Sequence, residues 1–154
     1  VPGAPRPRPA SRMSDDGRIR ARAVWRRGWA TDVHIRHHLI RVDEPPSEGG
    51  GDTGPMPTEL LCAALASCFC LALRWVAAKR DLELPGLEVS VRADRAGTEP
   101  RYGRLVVEAQ VALPLDRWEP LMARAARVCW VSNTMAGGVD VEYVATEVNA
   151  RFQE

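Results

Sequence analysis

Lysine is nearly missing from this chain. Lys79 is the only one among 21 basic residues, a bias that reads as the codon usage of a GC-rich genome rather than as a binding surface. No block of one charge sign is present either. The 21 basic and 20 acidic residues interleave to a formal charge of +1, so no broad field exists to draw nucleic acid or an anionic membrane. No apolar run reaches the roughly 20 residues of a bilayer span, and the Pro/Arg-rich beginning lacks the apolar stretch of a signal peptide. These absences lead us to expect a soluble, cytoplasmic protein that binds neither nucleic acid nor membrane. Cysteine is sparse, four residues without a Cys-x-x-Cys pair, and His34, His37 and His38 fall at an expected hairpin, so no metal site is expected. Where reductants keep ordinary disulfides open, distant thiols are redox-active or simply buried rather than structural cross-links.

What is present is enough apolar material for one core: 154 residues, 45% of them hydrophobic, which suit one domain and are too few for two. Residues 1–18 form a Pro/Arg-rich segment without apolar periodicity, expected to be a flexible tail, with residues 19–154 as the single domain. Strands are expected over Ile19–Trp25, Ala30–Ile35 and Leu39–Val42, with reversals at Arg27-Gly28 and His37-His38. A Gly/Pro-dense loop from Asp43 ends at Pro57, a residue suited to the first helical position. The helix expected over Thr58–Arg80 is rich in Leu and Ala, with the stripe Leu61, Leu65, Cys68, Ala72, Trp75. It is apolar nearly all round, as befits the centre of a domain or a dimer interface. Strands over Leu87–Ala93 and Arg104–Leu113 follow. A second helix should start at the Asp116-x-x-Glu119 pattern and bury Leu121, Ala125 and Val128, and a closing strand should span Val139–Thr146. The order β-β-β-α-β-β-α-β is an α+β fold with mostly antiparallel sheets.

Three stretches carry a resemblance. Gly49-Gly50-Gly51-Asp52-Thr53-Gly54-Pro55-Met56-Pro57-Thr58-Glu59-Leu60-Leu61, then Ala64-Leu65-Ala66-Ser67-Cys68-Phe69, then Cys129-x-x-Ser132-Asn133 together resemble the OsmC/Ohr superfamily of osmotically inducible and organic hydroperoxide resistance proteins. The resemblance implies an intertwined homodimer, with sheets wrapped around two central helices and active sites at the subunit interface. It also implies a thiol peroxidase without metal, flavin or other cofactor. Carried over by motif, Cys68 is the peroxidatic cysteine and Cys129 the resolving one. Arg26, with Arg27 beside it, falls near the position of the arginine that would activate Cys68, and Glu59 stands one residue after the position of the family's acid. That displacement puts Glu59 on the opposite helix face from Cys68, where it suits the helix dipole better than the thiol. Trp130 replaces the proline usual after the second cysteine. The substrate implied is an organic hydroperoxide, and the reductant a lipoylated protein or a low-molecular-weight thiol.

The same residues admit a plainer reading. Cysteine is among the most buried residue types, so Cys62 and Cys70 read as packing. Cys68 lies about ten residues into its helix, too deep for that helix's own dipole to hold a thiolate, so another group must lower its pKa. Phe69, Trp75, Trp130 and Met135 are candidates for an apolar substrate pocket, although such residues also serve as core. The alternative to an enzyme is a non-catalytic dimer on the same scaffold that binds a small apolar ligand or senses redox state through its thiols.

Overall fold

The computed structural model describes residues 18–146. The expected N-terminal tail, apart from Arg18, and the last eight residues of the expected domain lie outside this range. Three antiparallel strands come first: β1 (Arg22–Arg27), β2 (Ala30–Ile35) and β3 (His38–Val42), paired in the order β1-β2-β3. Tight turns at Gly28-Trp29 and Arg36-His37 join them. β2 has the expected bounds, whereas β1 starts three residues later than expected because Ile19 is exposed and finds no cross-strand partner.

The loop from Asp43 to Met56 is tied down by one buried carboxylate. Asp43 accepts hydrogen bonds from the backbone N–H groups of Glu44, Gly51 and Thr53 and, at 2.7 Å, from the Thr53 hydroxyl. The Thr53 hydroxyl is the chief cause of a pKa below the ordinary carboxylate value, outweighing burial, which pushes the other way. Two glycines are required by close approach: a Cβ at Gly50 would collide with the Glu44 carbonyl, and one at Gly54 with the Arg41 carbonyl.

α1 spans Pro57–Ala78, with Pro57 in the first turn as expected. Asp81 adopts a left-handed conformation (φ 52°), and the Leu82 N–H returns to the Ala77 carbonyl at 3.1 Å, closing the helix end. Its buried face is Leu65, Phe69, Ala72, Leu73, Val76 and Ala77. This corrects the expected stripe at both ends: Leu61 and Trp75 are exposed, and the Trp75 ring sits under the Lys79 ammonium at 4.0 Å. The expectation that no apolar run nears bilayer length is corrected as well. Arg74 is the one charge between Leu60 and Ala78, and the most apolar stretch of α1 has a mean hydropathy of 2.0, so by length and composition alone the helix could cross a membrane. Here it packs against other elements, which bury a third of that stretch.

The first of these elements is a hairpin of β4 (Glu88–Arg95) and β5 (Tyr102–Gln110). Its register sets Val89 opposite Ala109, Val91 opposite Val107 and Ala93 opposite Leu105. The alternation puts these side chains on one face of the sheet, and Val89, Val91, Leu105, Val107 and Ala109 pack on the core of α1.

The expected second helix is broken into three. α2 (Leu115–Trp118) is followed by a 3₁₀ turn at Glu119–Leu121, then α3 (Met122–Val128) and α4 (Trp130–Gly137). Asp116 is not the cap, since Pro114 precedes the first turn, and Pro120 prevents a continuous start. Leu121 and Ala125 are buried as expected, but Cys129, four residues on, completes that face in place of Val128. The closing strand is absent: residues 139–146 pair with no strand among the described residues and expose Val139, Val141, Tyr143 and Val144. Their alternating apolar pattern suits a strand, yet among the described residues they join neither sheet, although both sheets have free edges.

Candidate active site

The core brings the two motif cysteines into contact. Cys68 sits half-buried near the middle of α1, and Cys129, with no exposed surface, occupies the residue between α3 and α4. Its extended backbone (φ −79°, ψ 107°) ends one helix and caps the next. All four cysteines are free thiols, and the Cys68 and Cys129 thiols lie close enough to act on each other's ionisation.

The sequence left open what could stabilise charge on a cysteine so deep in α1. The answer lies in a different helix: the first N–H groups of α4, at Val131 and Trp130, act on Cys68 and favour its thiolate. Burial nevertheless outweighs them and pushes the Cys68 thiol above its ordinary pKa. Burial also pushes Cys129 upward, but the Ser132 hydroxyl and N–H, the Cys68 thiol and the Val131 N–H together bring it below the ordinary value. Within one chain, the surroundings thus favour the Cys129 thiolate and oppose that of Cys68. Ser132 belongs to the site: its hydroxyl also lies 3.2 Å from the Cys129 carbonyl, which in turn accepts the Asn133 N–H at 3.1 Å.

A cleft of about 1080 Å³ reaches Ser132, although neither Cys68 nor Cys129 lines it. Leu61, Leu65, Leu105, Val107 and Met135 give it an apolar floor, with Ser132 on the thiol side and Arg95, Arg101 and Arg104 along its rim. Of the four residues expected at a substrate pocket, Met135 lines this cleft. Phe69 is in the core, Trp75 lies beneath Lys79, and Trp130 is exposed beside a separate hollow with Arg127 and Asn133.

Arg26 and Glu59 stand elsewhere. Arg26 pairs with Asp32 on β2 at 2.6 Å, and among the described residues no hydrogen bond or ion pair joins it to Cys68. Glu59, in the first turn of α1, accepts the Met56 N–H at 2.8 Å. The sequence names Ser132 in a motif without a role for it, and the N–H groups of α4 and Asp32 were not foreseen there. Serine three residues after a cysteine that ends a helix was a legible sign, as was Asp32, the sole acid between Ile19 and Val42.

The family model for OsmC-like proteins matches residues 49–144, which hold both cysteines and the whole cleft. This chain belongs to the OsmC-like protein family. An organic hydroperoxide resistance protein of Xanthomonas axonopodis pv. citri is 39% identical over 97 residues, covering 60% of this chain and 68% of the relative. A protein of the same name from Xanthomonas campestris pv. phaseoli matches equally. Among solved structures, an organic hydroperoxide resistance protein, OsmC, from Legionella pneumophila superimposes with a TM-score of 0.63 at 26% identity, covering 81% of this chain and 93% of that one. An OsmC-like protein of Mycoplasma pneumoniae gives 0.65 at 19% identity over 79% and 89% of the two chains, a likeness of fold.

Proposed function

We propose that this OsmC-like chain is a thiol peroxidase that reduces organic hydroperoxides in defence against oxidative stress. The observation that carries the reading is the contact between the Cys68 and Cys129 thiols at the N-terminus of α4; the names of the Xanthomonas relatives agree with it. The Cys68 thiolate attacks the distal peroxide oxygen, the O–O bond breaks, and the alkoxide leaves and takes a proton to become an alcohol. Cys68 is then a sulfenic acid. The Cys129 thiolate attacks the Cys68 sulfur, hydroxide leaves as water after protonation, and a Cys68–Cys129 disulfide remains. A dithiol, lipoylated or of low molecular weight, reopens it by exchange. The cycle needs no metal or flavin.

The apolar floor of the cleft supports a preference for alkyl or aryl hydroperoxides over hydrogen peroxide. A homodimer is part of the proposal. Leu61, Leu71 and Trp75 on α1 and Val139, Val141, Tyr143 and Val144 are exposed in a single chain, apolar side chains that a second copy would cover. Arg26 of a second copy would then supply the cation that moves charge from Cys129 to Cys68. The test is steady-state consumption of cumene hydroperoxide against hydrogen peroxide with dihydrolipoamide as reductant. A kcat/KM at least about tenfold higher for the organic peroxide is expected, the discrimination that a few buried apolar groups can supply. Equal rates, or no turnover of either, would refute the proposal.

A further inference from the structure

Arg26 is the extra residue of a β-bulge. Trp25 pairs with Thr31 and Arg27 with Ala30, leaving Arg26 opposite no residue, and bulges of this kind re-aim a side chain out of the regular alternation. Its guanidinium is held from one side. One oxygen of Asp32 accepts Arg26 Nε at 2.6 Å, and the other accepts Arg41 Nε at 2.5 Å. Asp32 is buried, 5% exposed, while the Arg26 side chain is 48% exposed. The contact uses Nε, and the two Nη groups of Arg26 make no hydrogen bond or ion pair among the described residues.

We infer that Asp32, braced by Arg41 on β3, is the positioning residue that fixes Arg26 with its Nη edge presented to the Cys68 sulfur of the active site. The inference rests on the proposed role of Arg26 as the cation that serves Cys68. A mobile arginine would spread its charge over many rotamers. One anchored through Nε keeps its fork in a fixed direction and loses less entropy on engaging a thiolate. The acid at the start of α1 does not hold Arg26, since Glu59 takes up the Met56 N–H. The other titratable residues in register with this group are Arg22 on β1 and His34 on β2, paired with each other across the ladder. With Arg27, which pairs with Ala30 on the same face of β2, Asp32 is thus the sole acid among four arginines and His34. Its pKa is lowered, first by the hydrogen bond from Arg41 and then by that from Arg26, so it stays ionised across the range in which thiols titrate.

The experiment measures the pH dependence of Cys68 alkylation by iodoacetamide in the reduced full-length protein, with the Cys68 peptide quantified by mass spectrometry and the melting temperature recorded alongside. R26Q and D32N should each slow Cys68 alkylation at pH 7 by about tenfold, the loss of one favourable charge contact to the thiolate. D32E should restore most of the rate, because it keeps the carboxylate. If R26Q slows alkylation and folded D32N does not, the positioning role is overturned while the role of Arg26 stands. If neither changes the rate, the role of Arg26 falls and takes the inference with it. A D32N protein that melts lower yet alkylates normally would mark Asp32 as a structural ion pair only, which also overturns the inference. Should D32N fail to fold, R41Q keeps the Asp32–Arg26 pair and removes only its brace. A slowing of about two- to fivefold, within the range of a single weakened charge contact, then supports the inference, and an unchanged rate refutes it.

Discussion

Substituting Ser132 by alanine should impair resolution of the sulfenic acid while sparing the first oxidation. The Ser132 hydroxyl, which donates to the Cys129 carbonyl at 3.2 Å, can turn its proton to a Cys129 thiolate, where it would join the N–H groups of Ser132 and Val131. A hydrogen bond to a charged acceptor contributes about 1.5–3 kcal/mol. Two donors remain in the variant, so the lower end of that range applies. Cys129 has no exposed surface, so water does not readily replace the lost hydroxyl. About 1.4 kcal/mol corresponds to a tenfold smaller thiolate population at Cys129. In rapid-mixing experiments with cumene hydroperoxide, loss of the Cys68 thiol should keep its wild-type rate, while disulfide formation should slow by about tenfold. Trapping of Cys68 by dimedone, and its overoxidation to sulfinic acid at excess peroxide, should rise in step. S132T, which keeps the hydroxyl, should recover most of the resolution rate. Unchanged disulfide formation in S132A would refute the assignment, as would slowing confined to the first oxidation.

Two further outcomes concern the scaffold. Leu73 has no exposed surface at the centre of the α1 core, so L73A should lose about 2–5 kcal/mol of stability in denaturant unfolding; a loss below about 1 kcal/mol would show that the core lies elsewhere. The lowered pKa of Asp43 means that its contribution is full above the unfolded carboxylate pKa and is lost as pH falls through the lower folded value. Melting temperature should therefore drop as pH falls below about 4. D43N should melt lower at neutral pH and lose less on acidification. A variant with the wild-type acid slope would contradict the account of the loop, although Asp32 leaves part of that slope in place.

The fold was legible wherever local pattern and tertiary demand agree. Ala30–Ile35 alternates and ends in tight turns, and Pro57 opens a run of helix formers, so β2 and the start of α1 stand where the sequence puts them. The misses share a cause in tertiary context. The Asp116-x-x-Glu119 pattern satisfies a local capping rule, yet Pro120 and the packing of Leu121 divide the helix there. Val139 to Thr146 has strand alternation but pairs with none of the described strands. At the site, the motif named both cysteines, but period and spacing could not show that the N-terminus of α4 lies against α1. Nor could they show that Arg26 is a bulge residue gripped by Asp32, because that depends on the register of three strands.

The central claim is that Cys68 reacts with peroxide and Cys129 resolves it, although in a single chain the Cys68 pKa is raised and the Cys129 pKa lowered. The most direct measurement is peptide mapping of oxidation products after one equivalent of cumene hydroperoxide is added to the wild type, C68S and C129S. A Cys68–Cys129 disulfide is expected in the wild type, sulfenic and then sulfinic acid at Cys68 in C129S, and no peroxide consumption by C68S. Sulfenic acid at Cys129 in C68S, or unchanged thiols in all three proteins, would contradict it.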